Sequence, residues 1–341
     1  MNIDMSSWQG RIDPEDGDNG MRFHQKVQPA DTENEPGVTL LGFACDEGVF
    51  RNKGRMGARG GPSEIRKALA NMAWHHRLPI YDGGDTHCDN HDLTKAQKSL
   101  ADNITQALHQ QHFPLTMGGG HEVAWASFQG LANHLIQIGI SIPPRIGIIN
   151  FDAHFDLRTP SGDSLTGSSG TPFAQIAEFC ASQNWPFNYA CLGVSRTSNT
   201  QALFNKADEL NVLTVEDHQL HPTSLQSIQG SLATFIEQCD HLYLTIDMDV
   251  FPAATAPGVS APAAHGVDYP MVEALLKPIL NAKSEHGNSK LRLADIAEYN
   301  PRYDIDGHTS RLAARLIWTI LRKLNTTFTN KEYRDDRSAT G

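Results

Sequence analysis

Apolar residues along this chain gather into short continuous runs, and the stretches between them carry helical spacing. Val38-Thr39-Leu40-Leu41-Gly42-Phe43-Ala44 and Phe113-Pro114-Leu115-Thr116-Met117 read as buried strands, as do Arg145 to Phe151, Ala190 to Val194, Asn211 to Thr214, His241 to Ile246 and Lys290 to Ala297. Helices are predicted from Pro62 onward, over Ala96 to Gln110, Val123 to Ile136, Gln201 to Glu209, Ser224 to Cys239 and Tyr269 to Asn281, with a long closing helix from Asp306 to Leu324. Pro62 stands at a first-turn position, where its missing N–H costs nothing. Strand and helix alternate throughout, which predicts an α/β fold with a mostly parallel sheet covered on both faces. No linker or repeat divides the chain. Residues 1–36 read as a polar, extended or loosely packed arm, 37–325 as a single domain, and 326–341 as a polar tail.

Two of the strand runs end in acid. Asp152, His154 and Asp156 follow Ile146-Gly147-Ile148-Ile149 at spacing i, i+2, i+4, so in extended backbone they face one side. His241-Leu242-Tyr243-Leu244-Thr245-Ile246 runs into Asp247-Met248-Asp249. Four carboxylates crowded at strand ends would repel one another and hold protons unless cations sit among them. Open α/β sheets bind ligands outside the C-terminal ends of their strands, where both clusters fall. A third segment, Gly118-Gly119-Gly120-His121-Glu122, lets the backbone pass close to such a site while His121 offers a neutral nitrogen. It lacks the GK[ST] ending of a phosphate loop. Oxygen-rich ligation with two histidines suits Mn²⁺ or a similar hard divalent ion, and four carboxylates balance two of them. Elsewhere, His75-His76 and Asp85-Thr86-His87-Cys88 lack recognisable ligand spacing and are expected to hold no metal.

Composition narrows the class. Net charge is −11, which argues against nucleic acid or an anionic membrane as partner, because both call for a basic face. Five scattered cysteines with no CxxC pair suit a reducing cytosol. The first residues carry no signal-peptide pattern, and no apolar stretch is long enough to span a bilayer. A cytoplasmic protein with a small-molecule substrate is expected.

The three metal-type segments, with Asp247-Met248-Asp249-Val250-Phe251-Pro252 continuing to Ala256-Pro257-Gly258, together resemble the signatures of the arginase/agmatinase (ureohydrolase) family. The resemblance runs in order from about Gly42 to Leu321. It implies a three-layer α/β/α fold, a dinuclear manganese centre, hydrolysis of a guanidine or amidine C–N bond, and a trimeric or hexameric assembly. Carried over motif by motif, it implies one metal held by His121, Asp152, Asp156 and Asp247. The second would be held by Asp152, His154, Asp247 and Asp249, so that Asp152 and Asp247 bridge.

Within the family, Gly48-Val49-Phe50-Arg51-Asn52-Lys53-Gly54-Arg55-Met56-Gly57-Ala58 is similar to the pattern of formimidoylglutamases. These enzymes convert N-formimidoyl-L-glutamate to L-glutamate and formamide in histidine degradation. Such a substrate brings two carboxylates, which suit arginine's planar fork. Arg51, Asn52, Arg55, Arg158 and Ser169 are therefore the expected substrate contacts. Ser169, in Ser168-Ser169-Gly170-Thr171-Pro172, occupies the place of a histidine in arginases and agmatinases, which removes a histidine proton shuttle. Asp295-Ile296-Ala297-Glu298-Tyr299-Asn300-Pro301 resembles the family's late motif, which implies that Glu298 pairs with the cationic end of the substrate. Asp156 is the expected proton carrier to the leaving amine. An agmatinase-like or guanidino-acid hydrolase is the alternative, and a non-catalytic metal-binding scaffold a remoter one. Agmatine has no carboxylate for the arginines to meet.

Overall fold

The computed structural model describes residues 3–140, 142–160 and 167–324. The tail expected at 326–341 lies outside the described residues. The chain enters through β1 (Gln28–Pro29) and β2 (Val38–Ala44), then α1 (Glu47–Arg51), α2 (Gly61–Ala70) and β3 (Ile80–His87). It continues through α3 (Leu93–His109), β4 (Phe113–Met117), α4 (Val123–Gln137), β5 (Ile146–Phe151) and α5 (Pro172–Gln183). Next come β6 (Asn188–Val194), α6 (Gln201–Glu209), β7 (Leu213–Glu216) and α7 (Leu225–Glu237). The last elements are β8 (His241–Asp247), α8 (Tyr269–Leu280), β9 (Leu291–Ala297) and α9 (His308–Lys323).

Among the described residues, nine strands form one sheet in the order β1-β3-β2-β4-β9-β8-β5-β6-β7, and every pairing between them is parallel. Parallel strands need crossovers, and the helices that make them cover both faces. Leu242, Leu244 and Ile246 of β8 pack on one side with Ile65 of α2, Leu232 of α7, Leu275 of α8 and Ile317 of α9. Tyr243 points the other way, into the layer of Leu100 from α3, Leu131 from α4, Ile176 from α5 and Phe204 from α6. The predicted three-layer α/β/α fold is the observed one.

Two regions depart from the expectation. The segment before residue 37 is tied to the domain at several points. Phe23 is fully buried, β1 extends the sheet edge along β3, and Trp8 donates its indole N–H to Asp82 at 2.6 Å. Its apolar residues are too far apart to show a period, yet Trp8, Phe23 and Val27 are each buried against the domain. β3 itself gave no strand signal because Asp82, Gly83, Gly84 and Asp85 interrupt the apolar run. Asp82 is buried there against Arg66 of α2, whose Nε donates to Asp82 Oδ2 at 2.7 Å. A buried carboxylate is tolerated when it is paired and hydrogen-bonded, as this one is.

Candidate metal centre

Four neighbouring strands, β4-β9-β8-β5, lie at the centre of the sheet, and each ends in one of the acidic or histidine motifs. His121 follows β4, Glu298 follows β9, Asp247 closes β8, and Asp152 follows β5. Residues separated by more than a hundred positions thus meet above one edge of the sheet.

The donors form two groups, His121 with Asp152, Asp156 and Asp247, and Asp152 with His154 and Asp249, each drawn within 4.8 Å. Nδ1 of His121 lies 3.0 Å from Asp152 Oδ2, 3.0 Å from Asp156 Oδ2 and 3.1 Å from Asp247 Oδ2. No hydrogen bond is aligned at this buried nitrogen despite the three close oxygens. One proton could not serve three acceptors, whereas a cation can. Donor atoms about 3 Å apart are what adjacent ligands at roughly 2.1 Å from an octahedral ion require. In the second group, His154 Nδ1 is 3.1 Å from Asp249 Oδ2 and 3.5 Å from Asp152 Oδ1. The donor chemistry and spacing fit two hard divalent ions. Asp152 is common to both groups. Asp247, expected to bridge as well, is drawn into the first group, and its Oδ1 accepts the main-chain N–H of Asp249 at 2.8 Å.

The electrostatics show the same crowding. Burial pushes the Asp156 carboxyl up to about 6, with the neighbouring Asp152 charge adding to the effect. Burial likewise raises Asp247 well above the carboxylate range, reinforced by Asp249 and Asp152. On His121 burial acts against the charge, but contacts from Asp152, Asp156 and Asp247 outweigh it and hold the imidazole well above its ordinary value. Each shift reflects negative charge crowded in a buried site, which bound divalent cations would offset.

The support behind these donors was partly invisible in the sequence. His121 Nε2 lies 3.0 Å from Thr245 Oγ1, and donating there leaves the Nδ1 lone pair toward the carboxylates. Thr245 stands opposite Asp295 across β8 and β9. Buried Asp295 in turn accepts hydrogen bonds from Ser127 Oγ and Tyr243 OH, both at 2.6 Å. Thr245 precedes Asp247 by two positions on the same strand face, a signal that could have found it. Asn199 had no such signal. Its Oδ1 accepts from Phe155 N at 3.1 Å and its amide donates to Ala153 O at 2.9 Å, which pins the loop carrying His154. The glycine run does what its position suggested: a methyl at Gly119 would sit on the carbonyl oxygen of Cys45, so only glycine fits.

Glu298 is 6% exposed and adopts a left-handed backbone (φ 63°), tied by its N–H to Gly119 O at 2.8 Å. One carboxylate oxygen accepts the His121 main-chain N–H at 2.9 Å. Burial raises its carboxyl well above the usual range, and Glu122 adds to this, so a cation placed beside it would be held as a salt partner.

A pocket of about 530 Å³ opens over the centre. Its floor includes His154, Asp156, Asp247, Asp249 and Glu298, and its wall holds Arg51, Asn52, Arg55, Arg158 and Ser169. All the expected substrate contacts reach it, but two of the arginines are largely engaged elsewhere. Arg51 donates from Nε to Glu47 at 2.9 Å and from a terminal nitrogen to His91 O at 3.0 Å. Arg55 donates to Ser260 O at 2.8 Å and Val259 O at 2.6 Å, and stacks on the Tyr303 ring at 3.8 Å. Both hold the wall together. Asn52 donates to Ser169 Oγ at 3.2 Å, and Arg158 makes no side-chain hydrogen bond or ion pair among the described residues. Sequence reasoning assigned nothing to Lys53 and Ser260, which also line the pocket.

Comparison with known proteins places this geometry. The chain is 58% identical to a formimidoylglutamase of Photobacterium profundum, with 94% of this chain and 96% of that protein aligned. It is 56% identical to a formimidoylglutamase of Aliivibrio fischeri, over 93% of this chain and 95% of that one. Among solved structures, formimidoylglutamase of Bacillus subtilis superposes with a TM-score of 0.77 at 22% identity, covering 94% of this chain and 95% of that one. Formiminoglutamase of Trypanosoma cruzi, crystallised with Mn²⁺, superposes with a TM-score of 0.73 at 21% identity, covering 86% and 96%. The model of the arginase family matches residues 36–322. With that match spanning eight of the sheet's strands, β2 to β9, and both donor groups, the chain belongs to the arginase family.

Proposed function

We propose that this protein hydrolyses N-formimidoyl-L-glutamate to L-glutamate and formamide, using two Mn²⁺ ions held by His121, Asp152, His154, Asp156, Asp247 and Asp249. The observation that carries the reading is the naming of its 58% and 56% identical relatives, aligned over more than nine-tenths of this chain. The charge layout of the pocket gives it a physical basis. Carboxylates at the floor suit an amidinium, and cations along the wall suit two carboxylates.

Two divalent ions, when bound, supply Lewis-acid stabilisation and a water activated near neutral pH. The chain's own residues do the rest. Glu298 pairs with the amidinium and turns its carbon toward the floor, which contributes orientation. Arg158 and Asn52 anchor the other end of the substrate. Water adds to the amidine carbon, and the bond from that carbon to the glutamate nitrogen then breaks. Asp156, which lies on the pocket floor among the donors, is placed to carry the water's proton to that departing nitrogen. Ser169 accepts from Asn52 and shapes the wall, without taking a proton.

The test is a turnover panel with added Mn²⁺. Formimidoylglutamate should be hydrolysed, with agmatine and arginine poor or inert. Preference for agmatine would favour an agmatinase-like enzyme, and metal binding without any turnover would favour a scaffold.

A further inference from the structure

The pocket wall offers four cations, Arg51, Lys53, Arg55 and Arg158, and the first and third are largely committed to Glu47 and to main-chain oxygens. A substrate with two carboxylates needs two available partners. Arg158 is one. Lys53 is exposed, lines the pocket, and its ammonium makes no hydrogen bond or ion pair among the described residues.

Its backbone is unusual for a lysine. Lys53 adopts φ 62° just past Asn52, the residue that caps the short helix α1. Its N–H bonds to Phe50 O at 2.9 Å, and the N–H of Gly54 bonds to Val49 O at 2.8 Å. This pair of bonds is the glycine-type helix ending, in which the left-handed residue is normally glycine because any Cβ is strained there. Glycine stands at the very next position, so the turn could have been built with the less strained residue one step earlier. A local rule broken without structural gain points to function. The side chain that the strain retains sits beside Asn52, in the same pocket as Arg158.

We propose that Lys53 is a specificity-determining residue that pairs with one carboxylate of the substrate while Arg158 takes the other. This rests on the functional reading above. Lysine suits the task as a compact charge on a flexible stem, able to follow a carboxylate at the end of a mobile side chain.

Lys53→Gly and Lys53→Met separate this role from a structural one. Both should raise KM for formimidoylglutamate by about tenfold, the scale of one lost charge-assisted hydrogen bond, with kcat and bound Mn²⁺ unchanged. Lys53→Gly should melt no lower than wild type, because it relieves the left-handed backbone. Two analogues identify the partner, one with the side-chain carboxylate replaced by an amide, the other lacking the α-carboxylate. The penalty of the Lys53 variants should vanish on one of them and persist on the other. Unchanged KM in both variants, or a penalty that persists on both analogues, overturns the assignment. Absence of formimidoylglutamate turnover by the wild-type enzyme would instead remove the functional reading and this role together.

Discussion

The floor and the wall of the pocket are built on opposite plans. Floor donors stand at or just beyond strand ends in the middle of a parallel sheet, nearly all buried, and Thr245, Asp295 and Asn199 hold them in place. The wall is carried by Arg51 to Arg55, Arg158 and Ser169, outside the long elements, and its cations are partly exposed. The floor therefore supports chemistry that tolerates little displacement, and the wall can vary what is bound. Within the wall there is a further division. Arg51 and Arg55 act as internal braces, leaving Arg158 and Lys53 as the cations available to a ligand.

The largest expected effect lies in the floor. Asp152→Asn removes the residue shared by both donor groups, and activity should fall roughly a thousandfold, as expected when several kcal/mol of metal-derived stabilisation is lost. Elemental analysis should find close to two Mn²⁺ per wild-type chain and fewer in the variant. Full activity with a single tightly held zinc would end the dinuclear reading.

Asp156→Asn should also lose most activity, by about 10²–10⁴-fold, with partial metal loss, because the same carboxyl is donor and proton carrier. Kinetics measured at saturating Mn²⁺ would separate the two roles, since activity fully restored by metal alone would leave no proton-transfer role.

Next come two changes of similar size and opposite signature. Arg158→Ala should reduce kcat/KM by about tenfold to a hundredfold, mainly through KM, with metal content intact. Thr245→Val should weaken Mn²⁺ binding by about 10–100-fold while KM at saturating metal stays near wild type. Calorimetric titration of metal into both apo-proteins checks the contrast. A shared loss of metal affinity would mean that floor and wall are not independent.

The smallest effect belongs to Ser169→Ala, which deletes one neutral hydrogen bond to Asn52 and should lower activity by less than about fivefold. A variant as impaired as Asp156→Asn would show that the serine takes part in the chemistry.

Legibility follows the same division. Asp152, His154 and Asp156 could be read because their spacing alone puts them on one side of a strand end, and β5 and β8 because their apolar runs are unbroken. β3 could not, since its interior Asp82 is made tolerable by Arg66 and Trp8, which lie 16 and 74 positions away. The helix α5 has readable spacing in Phe173, Ile176 and Cys180, but it follows a serine- and glycine-rich stretch with the appearance of loop.

Local sequence determined the alternation of strands and helices, the six metal-type donors, and the glycine run that lets His121 approach. These depend on periodicity, valence and size, which are properties of chain neighbours. Only the tertiary structure decided that β4, β9, β8 and β5 lie side by side, so that His121, Glu298, Asp247 and Asp152 share one site. It also decided which arginines are available. Arg55 is occupied by oxygens of Val259 and Ser260, about two hundred positions along the chain, and Arg51 by those of Glu47 and His91. A guanidinium has the same charge wherever it stands. Whether it binds a ligand or braces a loop depends on which acceptors the fold brings within hydrogen-bonding distance.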